Sequence, residues 1–143
     1  MPGTYRGDID VQTCFDDLQS SSTFLIDVRT KPEWSYVGLP SVPAGAADPL
    51  LICWQLYPTM ETNPTFITEL NAAISAAGGD QESRLHFICR SGVRSKAAAV
   101  AATAAGYVNS FNVDHGFEGD PNTSRHRGQI NGWKAAGLPW KQS

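Results

Sequence analysis

Cys89 lies where a predicted strand meets a predicted helix, a position that suits a nucleophilic sulfur. The short apolar run at residues 85–88 precedes it and favours a buried strand. The alanine-rich segment at residues 96–105 follows it and favours a helix. Side chains just before a helix meet unpaired backbone N–H groups and the positive end of the helix dipole. These surroundings favour the thiolate over the thiol, so Cys89 is the candidate catalytic nucleophile.

The six residues after this cysteine complete a candidate anion-binding loop. Arg90 and Arg94 add positive charge near the sulfur, and Ser95 is placed to cap the following helix. A packed core has no use for this cluster, which favours a reactive cysteine over an inert one. Such a loop also binds anions without covalent chemistry, and that alternative stays open. The expected substrate-binding residues are Arg90, Ser91, Gly92, Val93, Arg94 and Ser95.

The other two cysteines are weaker candidates for chemistry. Cys14 falls on the apolar face of a helical pattern and Cys53 in the apolar run at residues 50–54, so we expect both to be packed. A resolving-thiol role is the alternative, chiefly for Cys53. Three cysteines without a Cys-x-x-Cys pair favour reduced thiols. Because the histidines do not combine with them at zinc-like spacing, we expect no metal and no cofactor.

The composition narrows the class of protein and its partners. The 143 residues, 41% of them apolar, suffice for a core, and we expect one domain over residues 1–143. A net charge of -3 with scattered basic residues argues against nucleic-acid binding. No apolar run approaches the roughly 18 residues of a membrane span. Since residues 1–7 lack the features of a signal peptide, we expect a cytoplasmic protein with a loosely ordered N-terminal segment.

Strand-like and helix-like segments alternate along the chain, a pattern typical of an α/β domain with a parallel sheet. Residues 38–60 are rich in proline and glycine and predict a long surface excursion. The predicted strands are residues 23–26, 85–88 and 110–113, and the predicted helices are residues 10–19, 31–36, 64–77, 96–105 and 132–137.

Charged residues follow the first predicted strand. Thr30 and Glu33 have capping-box spacing, with a proline tolerated between them in the first turn. We expect Asp27, Arg29 and Glu33 to support the fold through ion pairs and caps rather than to contact substrate.

Four segments in the same order resemble single-domain members of the rhodanese family of sulfurtransferases. Residues 89–95 resemble the family's "CRSG.RS" active-site loop, which is the most specific of the four in its strand–loop–helix setting. Residues 27–29 with 33–34 resemble "DVR…E(W/Y)". Gly116-Phe117 resembles the turn after the last strand, and residues 133–139 resemble the "W…AGLP" ending.

The resemblance implies a five-stranded parallel sheet flanked by helices on both faces. It implies that Cys89 is the nucleophile and carries a persulfide, with the backbone N–H groups of residues 90–95 around its sulfur. Arg90 and Arg94 would attract a small anionic sulfur donor, and a thiol, free or on a protein, would accept the sulfur.

Two segments depart from the family pattern. Residues 37–43 replace a "GHIPGA"-like stretch, so that edge of the pocket is expected to differ. Residues 120–131 are an insertion that includes Arg125, His126 and Arg127. The insertion is either a solvated loop or a lid that contacts an anionic substrate or partner.

Two further functions stay open. A cysteine-dependent phosphatase or arsenate reductase needs a Cys-x5-Arg loop, but Ser95 occupies the required arginine position and Arg94 comes one residue early. A rhodanese-like docking module would bind a partner without chemistry, although such modules usually lack the cysteine. A sulfur-delivery protein that also binds a partner lies between these functions.

Overall fold

A computed structural model describes residues 3–142 of the chain. The strands are β1 (Gly7–Ile9), β2 (Thr23–Asp27), β3 (Leu39–Pro40), β4 (Leu50–Leu51), β5 (Gln55–Leu56), β6 (Glu61–Thr62), β7 (Arg84–Ile88), β8 (Ser110–Val113) and β9 (Trp140–Lys141). The helices are α1 (Val11–Asp17), α2 (Phe66–Ala76), α3 (Val93–Ala104) and α4 (Gly132–Ala135), with a short π-helical turn at Glu33–Val37.

The main sheet has five parallel strands in the order β1-β8-β7-β2-β4. Asp27 at the end of β2 pairs with Ile88 at the end of β7. The candidate functional segments, which begin at residues 28 and 89, therefore start side by side at the carboxyl ends of these strands. Two antiparallel pairs, β3 with β9 and β5 with β6, lie outside this sheet. The expected parallel α/β architecture is confirmed.

Side chains on the two faces of the sheet form two hydrophobic clusters. On β2, Phe24 and Ile26 belong to one cluster and Leu25 to the other, as the alternation of a strand requires. The first cluster contains the buried faces of α2 and α3, where Ala98, Ala99 and Ala102 have no side chain beyond Cβ to separate helix from sheet. The second contains Cys14 of α1 and Trp133 of α4. Helices therefore cover both faces of the sheet.

Two of the five strands do not appear in the sequence prediction. The sequence predicts a loosely ordered segment at residues 1–7, but Gly7 is the first residue of β1, so the prediction is wrong for Gly7. Met1 and Pro2 lie outside the described residues. β4 lies within the predicted excursion at residues 38–60. Both are short edge strands with weak local patterns. They form because β8 and β2 offer backbone hydrogen bonds, which come from distant parts of the chain.

The helix after the cysteine begins earlier than predicted. α3 begins at Val93 instead of residue 96, and Gly92 is its N-cap, so the expected capping role of Ser95 is wrong. Gly92 has a φ of 115°, a conformation open to glycine but strained for other residues, which lets the chain enter the helix at once. Ser95 therefore lies in the first turn of α3, and its side chain is buried.

His86 is a polar residue on the buried strand that leads to Cys89. Its Nε2 lies 2.7 Å from Oδ2 of Asp17 on α1, and its ring packs on Phe111 with the centroids 5.2 Å apart. Arg84 donates to the same carboxylate oxygen from 2.8 Å. These contacts join α1 to the central strand.

Within residues 3–142, no helix is long and apolar enough to cross a lipid bilayer.

Acid should destabilise the fold through His86. Burial lowers the pKa of His86, and the neighbouring Asp17 opposes this only in part. The unfolded chain then binds a proton that the folded chain does not. We expect the free energy of unfolding to fall as the pH drops below about 6.5, by at most about 1.4 kcal/mol per pH unit. Urea unfolding at several pH values measures this, and His86→Gln should flatten the curve between about pH 7 and about pH 5. An unchanged slope in that variant would assign the effect to other groups.

Candidate functional site

The sulfur of Cys89 is surrounded by donors from its own loop. The backbone N–H groups of Gly92 and Ser95 donate to Sγ from 3.2 and 3.3 Å. The hydroxyl of Ser95 also lies 3.2 Å from Sγ. The residue is 1% exposed, so its chemistry depends on groups that reach into the loop. The two N–H groups would stabilise negative charge on the sulfur.

The turn after β8 holds the start of the loop. Phe117 donates its N–H to the carbonyl oxygen of Cys89 (2.8 Å), and the N–H groups of Glu118 and Gly119 donate to that of Arg90 (3.0 and 3.1 Å). Gly116 has a φ of 62°, and a Cβ at this position would collide with the backbone of Cys89 and Arg90. Only glycine lets the turn approach this closely, which explains the Gly116-Phe117 pair in the sequence.

Arg94 makes a bidentate ion pair with Glu33. Its Nη1 and Nη2 lie 2.7 and 2.9 Å from the two carboxylate oxygens. The N–H and hydroxyl of Thr30 donate to the same carboxylate from 3.1 and 2.9 Å. Although burial by itself raises the pKa of Glu33, the guanidinium of Arg94 and the Thr30 hydrogen bonds hold it at about 2. The pair fixes the first turn of α3 to the π-helical turn and neutralises the charge of Arg94.

Asp27 and Arg29 form a fully buried pair at the end of β2. Nη2 of Arg29 lies 2.7 Å from Oδ2 of Asp27, and both side chains are 0% exposed. Nη2 also donates to the carbonyl oxygen of Gly38 (2.7 Å), and the guanidinium lies 4.4 Å from the ring centroid of Phe117. Arg29 thus connects the end of β2 to the turn that holds the loop, without reaching the open pocket.

Cys89 lines an open pocket of about 600 Å³. Arg90 and Ser91 of the loop share this pocket with Val37, and Glu118 lies across from them on the segment after β8. Val93 lines it too and is 80% exposed, which gives the rim an apolar part. The pocket contains both charged and apolar side chains around a buried sulfur.

The insertion at residues 120–131 brings one of its three basic residues to the pocket. Arg127 lines the pocket and donates from Nη1 to the carbonyl oxygen of Gly119 (2.6 Å). Arg125 and His126 are exposed and are not among the pocket residues. The Asn122 side chain accepts hydrogen bonds from the backbone N–H groups of Ser124 and His126, so the insertion has local hydrogen bonds of its own.

The segment that departs from the family pattern, residues 37–43, is held near its start by strand pairing. Val37 lines the pocket, and β3 pairs with β9 near the end of the chain. The hairpin of β5 and β6 adds Gln55 and Met60 to the pocket, two residues that sequence reasoning did not single out. Their contribution depends on the fold of the excursion, for which the local sequence gives no signal.

Cys14 and Cys53 lie apart from this pocket. All three cysteines are free thiols. Burial raises the pKa of the Cys14 thiol well above its ordinary value, and it also raises that of half-buried Cys53. Cys53 lines a separate pocket with Lys31 and Tyr57. Within residues 3–142, no group of three or more His, Cys, Asp or Glu side chains is arranged to hold a metal ion.

Two side chains that the sequence did not indicate reach the loop from behind. Asn112 on β8 accepts a hydrogen bond at Oδ1 from the Ser95 hydroxyl (2.6 Å). Asp8 on β1 accepts from Nδ2 of Asn112 (3.0 Å). Asn112 is one of two polar residues in the predicted strand at residues 110–113, and this is the sequence signal that could have located it.

Known proteins are similar to this chain in sequence and in fold. It is 37% identical over 124 residues to the "Uncharacterized protein RP600 homolog" of Rickettsia rickettsii, with 87% of each chain covered. The structure titled "Crystal structure of Rv0390 from M. tuberculosis" superposes with a TM-score of 0.85 at 36% identity, covering 98% of this chain and 100% of that one. A rhodanese-like domain protein from Staphylococcus aureus shares the fold at 22% identity, with a TM-score of 0.50 and coverage of 77% and 86%.

The sequence model described as "Rhodanese-like domain" matches residues 11–120, from the first residue of α1 to the start of the insertion. This span includes the strand, the cysteine loop and the turn that holds the loop. The chain belongs to the rhodanese-like domain family.

Proposed function

We propose that the protein is a sulfurtransferase that carries sulfane sulfur as a persulfide on Cys89. The observation that carries the proposal is the position of Sγ at an open pocket, within 3.3 Å of two backbone N–H groups of its own loop. A sulfur held in this way can accept a neutral sulfane sulfur atom, carry it as a negatively charged persulfide and release it again, and none of these steps needs a metal or a cofactor.

The first half-reaction loads the cysteine. The Cys89 thiolate attacks the outer sulfur of a donor such as thiosulfate, and a new sulfur–sulfur bond forms. The sulfur–sulfur bond of the donor breaks, and its electron pair leaves with sulfite. The negative charge of the thiolate now lies on the outer sulfur of the persulfide. Preorganised N–H groups around the loop stabilise charge at both stages, because they need no reorientation during the reaction.

The second half-reaction unloads the persulfide. A nucleophile such as cyanide or a thiolate attacks the outer sulfur, and the electron pair of the broken bond returns to Cys89 as thiolate. A pocket of about 600 Å³ is in the size range of pockets that take small organic molecules and exceeds what thiosulfate needs. The exposed apolar side chain of Val93 on its rim also supports an acceptor larger than cyanide, such as a thiol.

The charges of the pocket favour a small anionic donor. Glu33 neutralises Arg94, so Arg90 and Arg127 supply the remaining positive charge, against one carboxylate from Glu118. Because Arg94 is directed to Glu33, it does not clamp an oxyanion as the arginine of a phosphatase loop does. This contact favours sulfur transfer over the phosphatase or arsenate reductase alternative.

Replacement of the nucleophile is the direct test. After incubation with thiosulfate, the protein should gain the mass of one sulfur atom, and cyanide should remove it. Cys89→Ser should show no adduct and no thiocyanate formation, because a serine cannot form a persulfide. Cys53→Ser is the matched control and should behave as the unmodified protein. An adduct that persists in Cys89→Ser would contradict the proposal, as would phosphotyrosine-analogue hydrolysis without sulfur transfer.

Loss of the Glu33 carboxylate should disturb the loop. Glu33→Gln leaves the partly buried Arg94 without its charged partner, so we expect unfolding to become easier by about 1–2 kcal/mol. We also expect kcat/KM for thiosulfate to fall about tenfold, since the first turn of α3 supplies the N–H of Ser95. Urea unfolding and steady-state kinetics measure the two effects. Glu82→Gln, a change at an exposed residue before the start of β7, at the opposite end of that strand from the loop, serves as the control. Equal behaviour of the two variants would contradict this role of Glu33.

The two arginines of the insertion should differ in their effect on the donor. Arg127→Ala removes a charge from the pocket, so the KM for thiosulfate should rise about three- to tenfold, and less at high salt. Arg125→Ala changes an exposed residue outside the pocket and should leave KM unchanged. An unchanged KM in the double variant, Arg125→Ala with Arg127→Ala, would exclude the insertion from donor binding.

A further inference from the structure

A chain of hydrogen bonds leads from the sulfur of Cys89 to the edge of the sheet. Oγ of Ser95 lies 3.2 Å from Sγ and donates to Oδ1 of Asn112 over 2.6 Å. Nδ2 of Asn112 donates to Oδ1 of Asp8 over 3.0 Å, and the Tyr5 hydroxyl donates to the same oxygen over 2.8 Å. Ser95 and Asn112 are buried, while Asp8 is exposed on β1.

The Asp8 carboxylate fixes the donor and acceptor of each hydrogen bond in this series, from Asp8 through Asn112 to Ser95. The hydrogen bond from Asn112 lowers the pKa of Asp8, burial opposes this, and the Tyr5 hydroxyl and the charge of Lys96 lower it further. An ionised carboxylate only accepts, so Asn112 must turn Nδ2 toward Asp8 and Oδ1 toward Ser95. The register of β1 and β8, which places Asp8 beside Asn112, holds this arrangement.

The serine hydroxyl has only one proton to donate. Because Oδ1 of Asn112 also only accepts, the hydroxyl proton of Ser95 is committed to it. Toward Sγ the hydroxyl then offers a lone pair, which suits a thiol that donates its own proton. A thiolate in this position would face a lone pair unless the hydroxyl turned and gave up Asn112. Because its proton is committed to Asn112, the Ser95 hydroxyl cannot donate a hydrogen bond to a Cys89 thiolate.

We propose that Asp8 and Asn112 are positioning residues that hold the Ser95 hydroxyl as an acceptor toward Cys89 and so keep the resting cysteine protonated. The backbone N–H groups of Gly92 and Ser95 act in the opposite direction. A protonated cysteine is less open to oxidation than a thiolate, which protects a nucleophile that must wait for its donor. The thiol releases its proton to solvent before the thiolate attacks the donor. The inference deepens the proposed function by naming what controls its nucleophile, but its test needs no sulfur transfer.

Many charges surround this cysteine and contribute to the pH at which it reacts. They lie on the loop and α3, on β1, at and just after the end of β2, on the π-helical turn, and on the segment after β8. These groups are Asp8, Asp27, Arg29, Glu33, Arg90, Arg94, Lys96, Asp114, Glu118 and Arg127. A substitution at Asn112 leaves all of them in place, so its effect isolates the hydrogen bond.

The rate of iodoacetamide alkylation at Cys89 between about pH 5 and about pH 10 measures the protonation directly. Peptide mass mapping assigns the label to Cys89, and Cys53→Ser removes the half-buried competitor. Asn112→Leu cannot accept the hydroxyl proton, so Ser95 becomes free to donate to the thiolate. We expect the midpoint of the rate profile to fall by about one pH unit. An unchanged or raised midpoint would overturn the proposal.

A second background shows whether the effect passes through the serine. In Ser95→Ala, the added Asn112→Leu change should leave the midpoint where Ser95→Ala alone puts it. A shift of similar size in both backgrounds would mean that Asn112 acts on Cys89 by another route, and it would overturn the proposal. Failure of sulfur transfer with a normal alkylation result would instead count against the proposed function alone.

Asp8→Asn provides a variant at an exposed position that should fold in any case. An asparagine lets the amide of Asn112 turn, so the midpoint should fall at both about 0.1 M and about 1 M salt. Asp114→Asn is the matched control, since Asp114 borders the same cavity behind the loop and is not hydrogen-bonded to Asn112. It should show no shift at high salt. If the Asp8→Asn shift disappears at high salt, or Asp114→Asn reproduces it there, the effect is one of charge and the proposal fails.

Discussion

The candidate site depends on the way the chain turns from β7 into α3. Within three residues of Cys89 it must leave the sheet, direct N–H groups at the sulfur and enter a helix, which the positive φ of Gly92 permits. The turn after β8 holds the first residues of the loop through three backbone hydrogen bonds, and it comes close enough only because residue 116 has no side chain. The geometry of the sulfur is thus a property of two adjacent parallel strands.

Two ion pairs support the segments around this turn. The buried pair of Asp27 and Arg29 lies at the end of β2, where the guanidinium also contacts Gly38 and Phe117. The bidentate pair of Glu33 and Arg94 holds the first turn of α3. Both arginines are charged residues whose charge is already matched. In the proposed sulfurtransferase, attraction of an anionic donor would be left to Arg90 and to Arg127, which lies in the insertion and lines the same pocket.

Opposing influences act on the sulfur within a radius of a few ångströms. Backbone N–H groups favour negative charge there, while the committed hydroxyl of Ser95 favours a proton. The balance would suit the proposed persulfide cycle, in which Sγ of Cys89 is nucleophilic in one step and carries no charge in the next. If Asp8 on the edge strand β1 controls this balance, a residue far from the loop in sequence affects the reactivity of Cys89.

Local sequence determined the parts of this protein that local forces build. Short runs, mainly apolar in β2 and β7 and alternating in β8, indicated these strands, and the spacing of apolar residues indicated the helices. Residues 89–95 indicated the loop, since the end of a strand, a glycine and the approach of a helix lie within a few positions. The tertiary structure alone decided the rest. Strands β1 and β4 exist because distant partners accept their hydrogen bonds, and Asn112, Asp8 and Arg127 reach the loop only after those pairings form. Ser95 lies inside the helix because Gly92 is the N-cap, but the partners of its hydroxyl, Cys89 and Asn112 on β8, are set by the tertiary structure, since the pattern of nearby residues does not encode a contact with that distant strand.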